Sequence, residues 1–250
     1  MPSRILVLKF GGHALANAAR IRFAARRVAA WRRSGIDVVA IASAKAGETD
    51  RLFRWARACG PEAAAADREL DRLLCTGEDR SSALLALALN RRGLVGRSLR
   101  GGEAGIVAEG THGNARVMEV RSEVLQALLA RDIVPVVSGF QAIRPDGEAV
   151  TLGRGASDLS AVAVASALDA WECHLIKDVD AVHEADPYRN PGSRPLRSLT
   201  HADLETLVSQ GARVVNPAAA ALARQRRMPI RVYSYRAPLS GAGTRIGEAA

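Results

Sequence analysis

Three features of the sequence predict an α/β fold with a mainly parallel central sheet and helices on both faces. Short apolar runs alternate along the chain with longer stretches of helical spacing, the order that builds a parallel sheet through crossover helices. The runs are apolar throughout rather than alternating with polar residues, as expected of strands covered on both faces. With 48% hydrophobic residues in 250, the chain can also bury a substantial core.

The elements follow in order. "RILVLKF" (4–10) reads as a buried strand, and "GGHALANAARIRFAARRVAAWRRSG" as a helix that stops at Gly35. "IDVVAIAS" is a second strand, whereas "LLCTGEDRSSALLALALNRRG" reads as a turn feeding a helix that again ends on glycine. "SEVLQALLARD" is a helix and "IVPVVSGF" a strand, and "RPDGEAVTLG" reads as a hairpin around Asp146-Gly147. "SDLSAVAVASALDA" is a helix of small residues, followed by the strand "WECHLIKDV". Two helices, "HADLETLVSQG" and "PAAAALARQRR", and two strands, "PIRVYSY" and "GTRI", complete the chain. No internal repeat or long linker interrupts this order.

Composition excludes several classes of function. No apolar run approaches the length of a membrane span, and no cleavable leader is recognisable at the N-terminus. Cys59, Cys75 and Cys173 are scattered without metal-ligand spacing, which predicts reduced thiols and a cytoplasmic protein, with no metal held by the chain's own side chains. The net charge of +9 comes almost wholly from arginine, since Lys9, Lys45 and Lys177 are the only lysines. The arginines are spread along helical patterns with only 4% aromatic residues, so the basicity favours small anionic ligands over nucleic acid.

Ligands of parallel sheets bind beyond the carboxyl ends of strands, and five segments there are expected to carry the chemistry. "KFGG" puts Lys9 before Gly11 and Gly12, a cation and exposed backbone N–H groups suited to phosphate, although it lacks the Walker A pattern. "SAKAGETD" offers Ser43 and Thr49 as polar contacts, with Thr49 as a helix cap the plainer alternative. "CTGED" offers Glu78, either to pair a ligand ammonium group or simply to favour a helix start. "TLGRGASD" sets Arg154, Ser157 and Asp158 among small residues, and "KDVDAVHEADP" follows a strand as a nucleotide-binding loop does.

In this order the five segments resemble the amino-acid kinase superfamily, and within it the catalytic core of aspartate kinases. The matches are to KFGGTS, SAxxxxTD, SxGE, TLGRGGSD and TDVDGVYxxDPR, with "GARVVNP" similar to a GAKV stretch, "GIVAEGTHGNARV" to an HGNAR segment and "VSGFQA" to a GFQG strand. The resemblance implies a three-layer amino-acid kinase domain over residues 1–250. An acceptor-binding lobe is expected at about 1–145 and a nucleotide-binding lobe at about 146–250, without an ACT regulatory domain. It implies a homodimer, and transfer of phosphate from ATP, with Mg2+, to the side-chain carboxylate of aspartate. A different small acceptor, or a non-catalytic homologue, stands as the alternative.

The resemblance also implies roles. Lys9, Asp158 and Arg213 are expected to be catalytic: Lys9 at the phosphates, Asp158 orienting a phosphate-binding lysine and capping the helix it opens, and Arg213 standing where the family has lysine. Ser43, Thr49, Glu78, Arg154 and Ser157 are expected to bind the acceptor, with Arg154 gripping a carboxylate through its planar fork. Lys9, Gly11, Gly12, Lys177, Asp178, His183, Arg213 and Val214 are expected to bind nucleotide. The chain departs from the pattern at His13 and Ala14, which replace Thr-Ser, and at Ala156, Ala181, His183 and Tyr188.

Overall fold

The computed structural model describes residues 4–60, 67–185, 190, 192–238 and 243–248. Along the chain run β1 (Ile5–Phe10), a 3-10 turn (Gly12–Leu15), α1 (Ala18–Arg33), β2 (Asp37–Ala42), α2 (Glu48–Cys59), α3 (Arg68–Asn90), β3 (Val95–Leu99), β4 (Ile106–Glu109) and β5 (Arg116–Val120). Then follow α4 (Glu123–Leu129), β6 (Ile133–Ser138), β7 (Gln141–Ile143), β8 (Ala149–Thr151), α5 (Ser157–Ala167), β9 (Glu172–Lys177), β10 (Val182–His183) and β11 (Pro195–Leu196). β12 (Ser198–Thr200), α6 (His201–Ser209), α7 (Pro217–Arg226), β13 (Ile230–Ser234) and β14 (Thr244–Gly247) complete it.

Eight strands form one sheet in the order β12-β14-β13-β9-β1-β2-β6-β3, parallel except where β13 meets β14. The expected α/β architecture is therefore present, and the apolar strand runs explain it. Leu6, Leu8 and Phe10 of β1 pack on one face with Ala25 and Val28 of α1 and Leu85 of α3, while Val7 packs on the other with Val162 of α5. The period-two alternation of β1 thus sends Lys9 to the α5 face. Register aligns the strand ends, with Phe10 opposite both Ala42 and Ile176, and Ala42 opposite Ser138. The carboxyl ends of β9, β1, β2 and β6 accordingly share one edge. A second sheet, β5-β4-β7-β8, lies in the middle of the chain, and its β7–β8 hairpin turns at Gly147 (φ 86°) as expected.

Several expectations are corrected. "CTGED" is no turn: α3 runs unbroken from Arg68 to Asn90, so Gly77 and Glu78 lie inside it. Gly77 is needed for close approach, because a Cβ there would stand 3.0 Å from the Ala44 Cβ. Nor does Thr49 cap a helix. α2 begins at Glu48 after Gly47, whose left-handed backbone (φ 77°) makes the turn. α2 itself, β3, β4, β5 and the short β10, β11 and β12 are elements that the sequence patterns above do not predict. Tyr188 lies outside the described residues.

Candidate active site

The centre of the site is Asp158, 2% exposed on the first turn of α5. Its Oδ1 stands 2.9 Å from Lys9 Nζ, and its Oδ2 accepts hydrogen bonds from Lys177 Nζ at 2.6 Å and from the Asn216 backbone N–H at 3.2 Å. Burial alone would push this carboxyl up. Lys177 and Lys9 overcome that and hold it well below the usual carboxylate range, so it is ionised. Lys177 in turn is lowered by its own burial, with Asp158 opposing the shift. One carboxylate therefore anchors two ammonium groups at adjacent strand ends, a cluster one positive charge in excess and suited to a polyanion.

Asp158 does not cap α5, which has no side-chain cap. Its backbone-directed bond goes instead to Asn216, the N-cap of α7, whose Oδ1 accepts from the Ala219 N–H at 3.2 Å. Asn216 Nδ2 also donates to the Arg154 carbonyl at 3.3 Å. Asn216 was missed as a site residue, although asparagine directly before proline at a helix start is a recognisable cap signal.

Beside the lysines lies the glycine turn. Gly11 N–H donates to the Ile176 carbonyl at 2.9 Å, and a Cβ on Gly11 would fall 3.8 Å from Lys9 Nζ. At Gly12 a Cβ would fall 2.8 Å from the Ala44 carbonyl oxygen and 2.9 Å from the Ala46 nitrogen. Gly12→Ala is therefore expected to cost about 1–3 kcal/mol of stability by forcing the two backbones apart, and to weaken nucleotide binding, as a denaturant titration and a nucleotide titration would register. His13, next in line, places Nδ1 3.1 Å from Asp178 Oδ2, which links the glycine turn to the end of β9.

Glu78 stands on the inward face of α3, 4% exposed. Its Oε1 accepts the Ala44 backbone N–H at 3.0 Å, and its Oε2 is buried without a partner. Burial pushes this carboxyl up to about 8, against the Ala44 hydrogen bond that lowers it. Arg154 is exposed, paired with Asp50 of α2 and stacked 5.6 Å from the Phe53 ring. Ser43 is held by its backbone N–H on the Phe10 carbonyl at 3.2 Å. Thr49 lies in the first turn of α2, and Ser157 is buried against Gly139, where a Cβ would meet it at 2.9 Å.

Of the remaining positions, Arg213 and Val214 lie three and two residues before Asn216, whereas His183 bonds within its own loop. Arg213 is exposed and Val214 half-buried in the turn before α7, and Arg213 makes no ion pair with a described residue. His183 on β10 has both ring nitrogens engaged, by the Ser193 carbonyl and Asp180, each at 2.9 Å. Burial lowers its pKa, but Asp180 and the carbonyl outweigh that and raise it.

The sequence matches the model of the amino acid kinase family over residues 4–234. The chain belongs to the amino acid kinase family. This family member is 40% identical over 231 residues to the aspartokinase of Mycolicibacterium smegmatis, an alignment covering 92% of this chain and 54% of that protein. It thus spans about half the length of the curated relatives it matches. Among solved structures, aspartate kinase from Synechocystis is 34% identical with a TM-score of 0.82, covering 98% of this chain and 40% of that one. Aspartokinase III of E. coli, solved with aspartate and ADP, has a TM-score of 0.87 at 21% identity, covering 98% of this chain and 65% of that one, and shares the fold. No helix among the described residues of this family member is long and apolar enough to cross a membrane.

Proposed function

We propose that this amino acid kinase transfers the γ-phosphoryl group of ATP to the side-chain carboxylate of L-aspartate, giving 4-phospho-L-aspartate and ADP. The observation that carries the reading is the pairing of Lys9 and Lys177 on buried Asp158, next to the Gly11–Gly12 turn. Phosphoryl transfer between two anions asks for charge neutralisation and alignment rather than a protein nucleophile. A carboxylate oxygen forms the new bond to phosphorus, and the bond from phosphorus to the β-phosphate oxygen breaks, its electrons leaving with ADP. Lys9 and Lys177 offset the charge that gathers on the transferred group, and Asp158 keeps both ammonium groups aimed without moving as the reaction proceeds. The C-terminal half, with Lys177, Asp178, His183, Arg213 and Val214, supplies the nucleotide side.

The acceptor side is read from Glu78 and Arg154 in the N-terminal half and its border. The unpartnered Oε2 of Glu78 suits an ammonium group, which would complete its hydrogen bonding and bring it to the ionised form. Arg154 is held by an exposed pair with Asp50 and by its stacking on Phe53, and the ion pair is a weak restraint that a substrate carboxylate can displace. The aspartokinase names of the relatives at about 40% identity support aspartate as that acceptor. No cluster of three or more metal-ligating side chains exists among the described residues, so magnesium is proposed to arrive on the nucleotide as MgATP, the donor substrate.

Incubation with MgATP, aspartate and hydroxylamine tests the reading: aspartyl hydroxamate is expected, and ADP release only with another acceptor would replace aspartate by that compound. Arg154→Lys is expected to raise the aspartate KM by about tenfold or more, matching the roughly 1–3 kcal/mol of a charge-assisted hydrogen bond, with the ATP KM unchanged. Equal losses for both substrates would remove Arg154 from the acceptor side.

A further inference from the structure

Asp71 is a buried carboxylate that the site described above leaves unused. It lies on α3 seven residues before Glu78, two helical turns away on the same inward face, and is 1% exposed. No lysine or arginine pairs with it among the described residues. Instead its Oδ1 accepts from Thr151 Oγ1 at 2.6 Å and the Gly113 N–H at 3.1 Å. Its Oδ2 accepts from the Thr151 N–H at 2.9 Å and the Gly113 N–H at 3.0 Å, with His112 Nδ1 at 3.1 Å. A carboxylate stripped of water needs such a set of donors, and these come from two separate segments.

The first segment is the loop 111–114 between β4 and β5, and the second is the end of β8, three residues before Arg154. They are joined again where the Ala115 N–H donates to the Thr151 carbonyl at 3.0 Å. Past that point the loop runs beside the turn that carries Arg154: a Cβ on Gly153 would lie 3.5 Å from Asn114 Oδ1 and 3.9 Å from the Gly113 carbonyl oxygen. One side chain thus fastens the helix of Glu78, the turn of Arg154 and the loop alongside them to a common point.

We propose that Asp71 is the positioning residue of the acceptor site, fixing Glu78 and Arg154 relative to each other, and that the 111–114 loop it anchors walls the acceptor pocket. This rests on the reading of Glu78 and Arg154 as the groups that hold the acceptor's ammonium and a carboxylate. With the head of the amino acid so fixed, only one side-chain length brings the second carboxylate to the phosphoryl group. The site is thereby selective for the four-carbon amino dicarboxylate over its five-carbon homologue. A displacement of about 1 Å in such an arrangement is worth on the order of 10²-fold in rate.

The test uses the full chain with Asp71→Asn, whose amide nitrogen cannot accept a hydrogen bond, and with Thr151→Val, which removes a single donor. Asp71→Asn is expected to raise the aspartate KM at least tenfold, to leave the ATP KM within about twofold, and to narrow the preference for aspartate over glutamate. Thr151→Val is expected to shift the same quantities in the same sense by about threefold, so the question stays decidable if Asp71→Asn folds poorly. Equal rises in both KM values, or an unchanged aspartate to glutamate ratio in both variants, would overturn the proposal. Hydrogen exchange gives an arm independent of turnover. Faster exchange confined to residues 111–116 and 150–156 is expected, and uniform or absent change overturns the anchoring role. A wild-type protein that phosphorylates no amino acid would defeat the proposed reaction, while the exchange arm would still decide whether Asp71 holds the loop and the turn.

Discussion

Replacing Asp158 with asparagine is expected to lower kcat by roughly 10²–10³ and to destabilise the fold by about 3–5 kcal/mol. The ammonium groups of Lys9 and Lys177 converge on this one side chain, and an amide of the same size takes away the charge that reconciles them. Two partly desolvated cations then face each other with no carboxylate in contact with both. The direct bond from the Asn216 N–H is retained only if the new amide oxygen takes the Oδ2 position, which would point an N–H2 group at Lys9. Steady-state kinetics and denaturant unfolding read the two effects separately. Nucleotide affinity is expected to fall less than kcat, because in the proposed complex the phosphates would themselves supply negative charge to the two lysines. Full turnover from a folded Asp158→Asn protein would exclude the arrangement as the source of catalysis.

Glu78→Gln is expected to raise the aspartate KM by at least an order of magnitude while stabilising the unliganded protein in mild alkali. The sign follows from the raised pKa. Below about 4.5 folded and unfolded chains both hold this proton, and between that value and about 8 only the folded chain holds it. Stability linked to Glu78 is therefore fully present in acid and is lost as pH rises through this window. Glutamine removes the ionisation, so the variant is expected to gain about 1–3 kcal/mol over the wild type near pH 9, after allowing for the cost of its buried amide. On the proposed reading of Glu78 the same ionisation would govern binding. In the wild type kcat/KM for aspartate is expected to climb as pH approaches about 8, and in Glu78→Gln that rise disappears. An aspartate KM unaffected by the substitution would take Glu78 out of the acceptor site.

Much of the fold was legible because strands buried on both faces read as unbroken apolar runs and their crossover helices as alanine-rich periodic stretches. What escaped was decided by contacts between distant residues. Gly77 reads as a helix breaker until the Ala44 Cβ is found 3.0 Å from the place its own would occupy. α2 does carry an apolar stripe at Leu52, Phe53 and Ala56, but its start depends on the left-handed backbone of Gly47, which no apolar pattern marks. β3 and β5 are largely exposed short strands with no strong pattern.

The site divides in the same way. Lys9, the two glycines and Lys177 were visible because strand-end position gives such residues meaning without a partner. Their convergence on Asp158 depends on the parallel pairing of β1 with β9 and on the placement of α5 across both, which no local pattern encodes. The His13–Asp178 contact has the same origin, since it joins the ends of those neighbouring strands. Asp71 lies in "RELDRLL", where it looks like one more charge on an exposed helical face; its burial appears only once the loop 111–114 and β8 close over it.

Attack of an aspartate carboxylate oxygen on the γ-phosphorus at the proposed Lys9–Asp158–Lys177 cluster would leave an isotopic signature, read by 31P NMR of the product formed from MgATP and aspartate labelled with 18O in its side-chain carboxylate. An acyl phosphate resonance displaced by a bridging 18O, lost together with ADP formation in Asp158→Asn, is the predicted result. ADP accompanied only by unlabelled inorganic phosphate, or a labelled acyl phosphate made equally fast by folded Asp158→Asn, would contradict it.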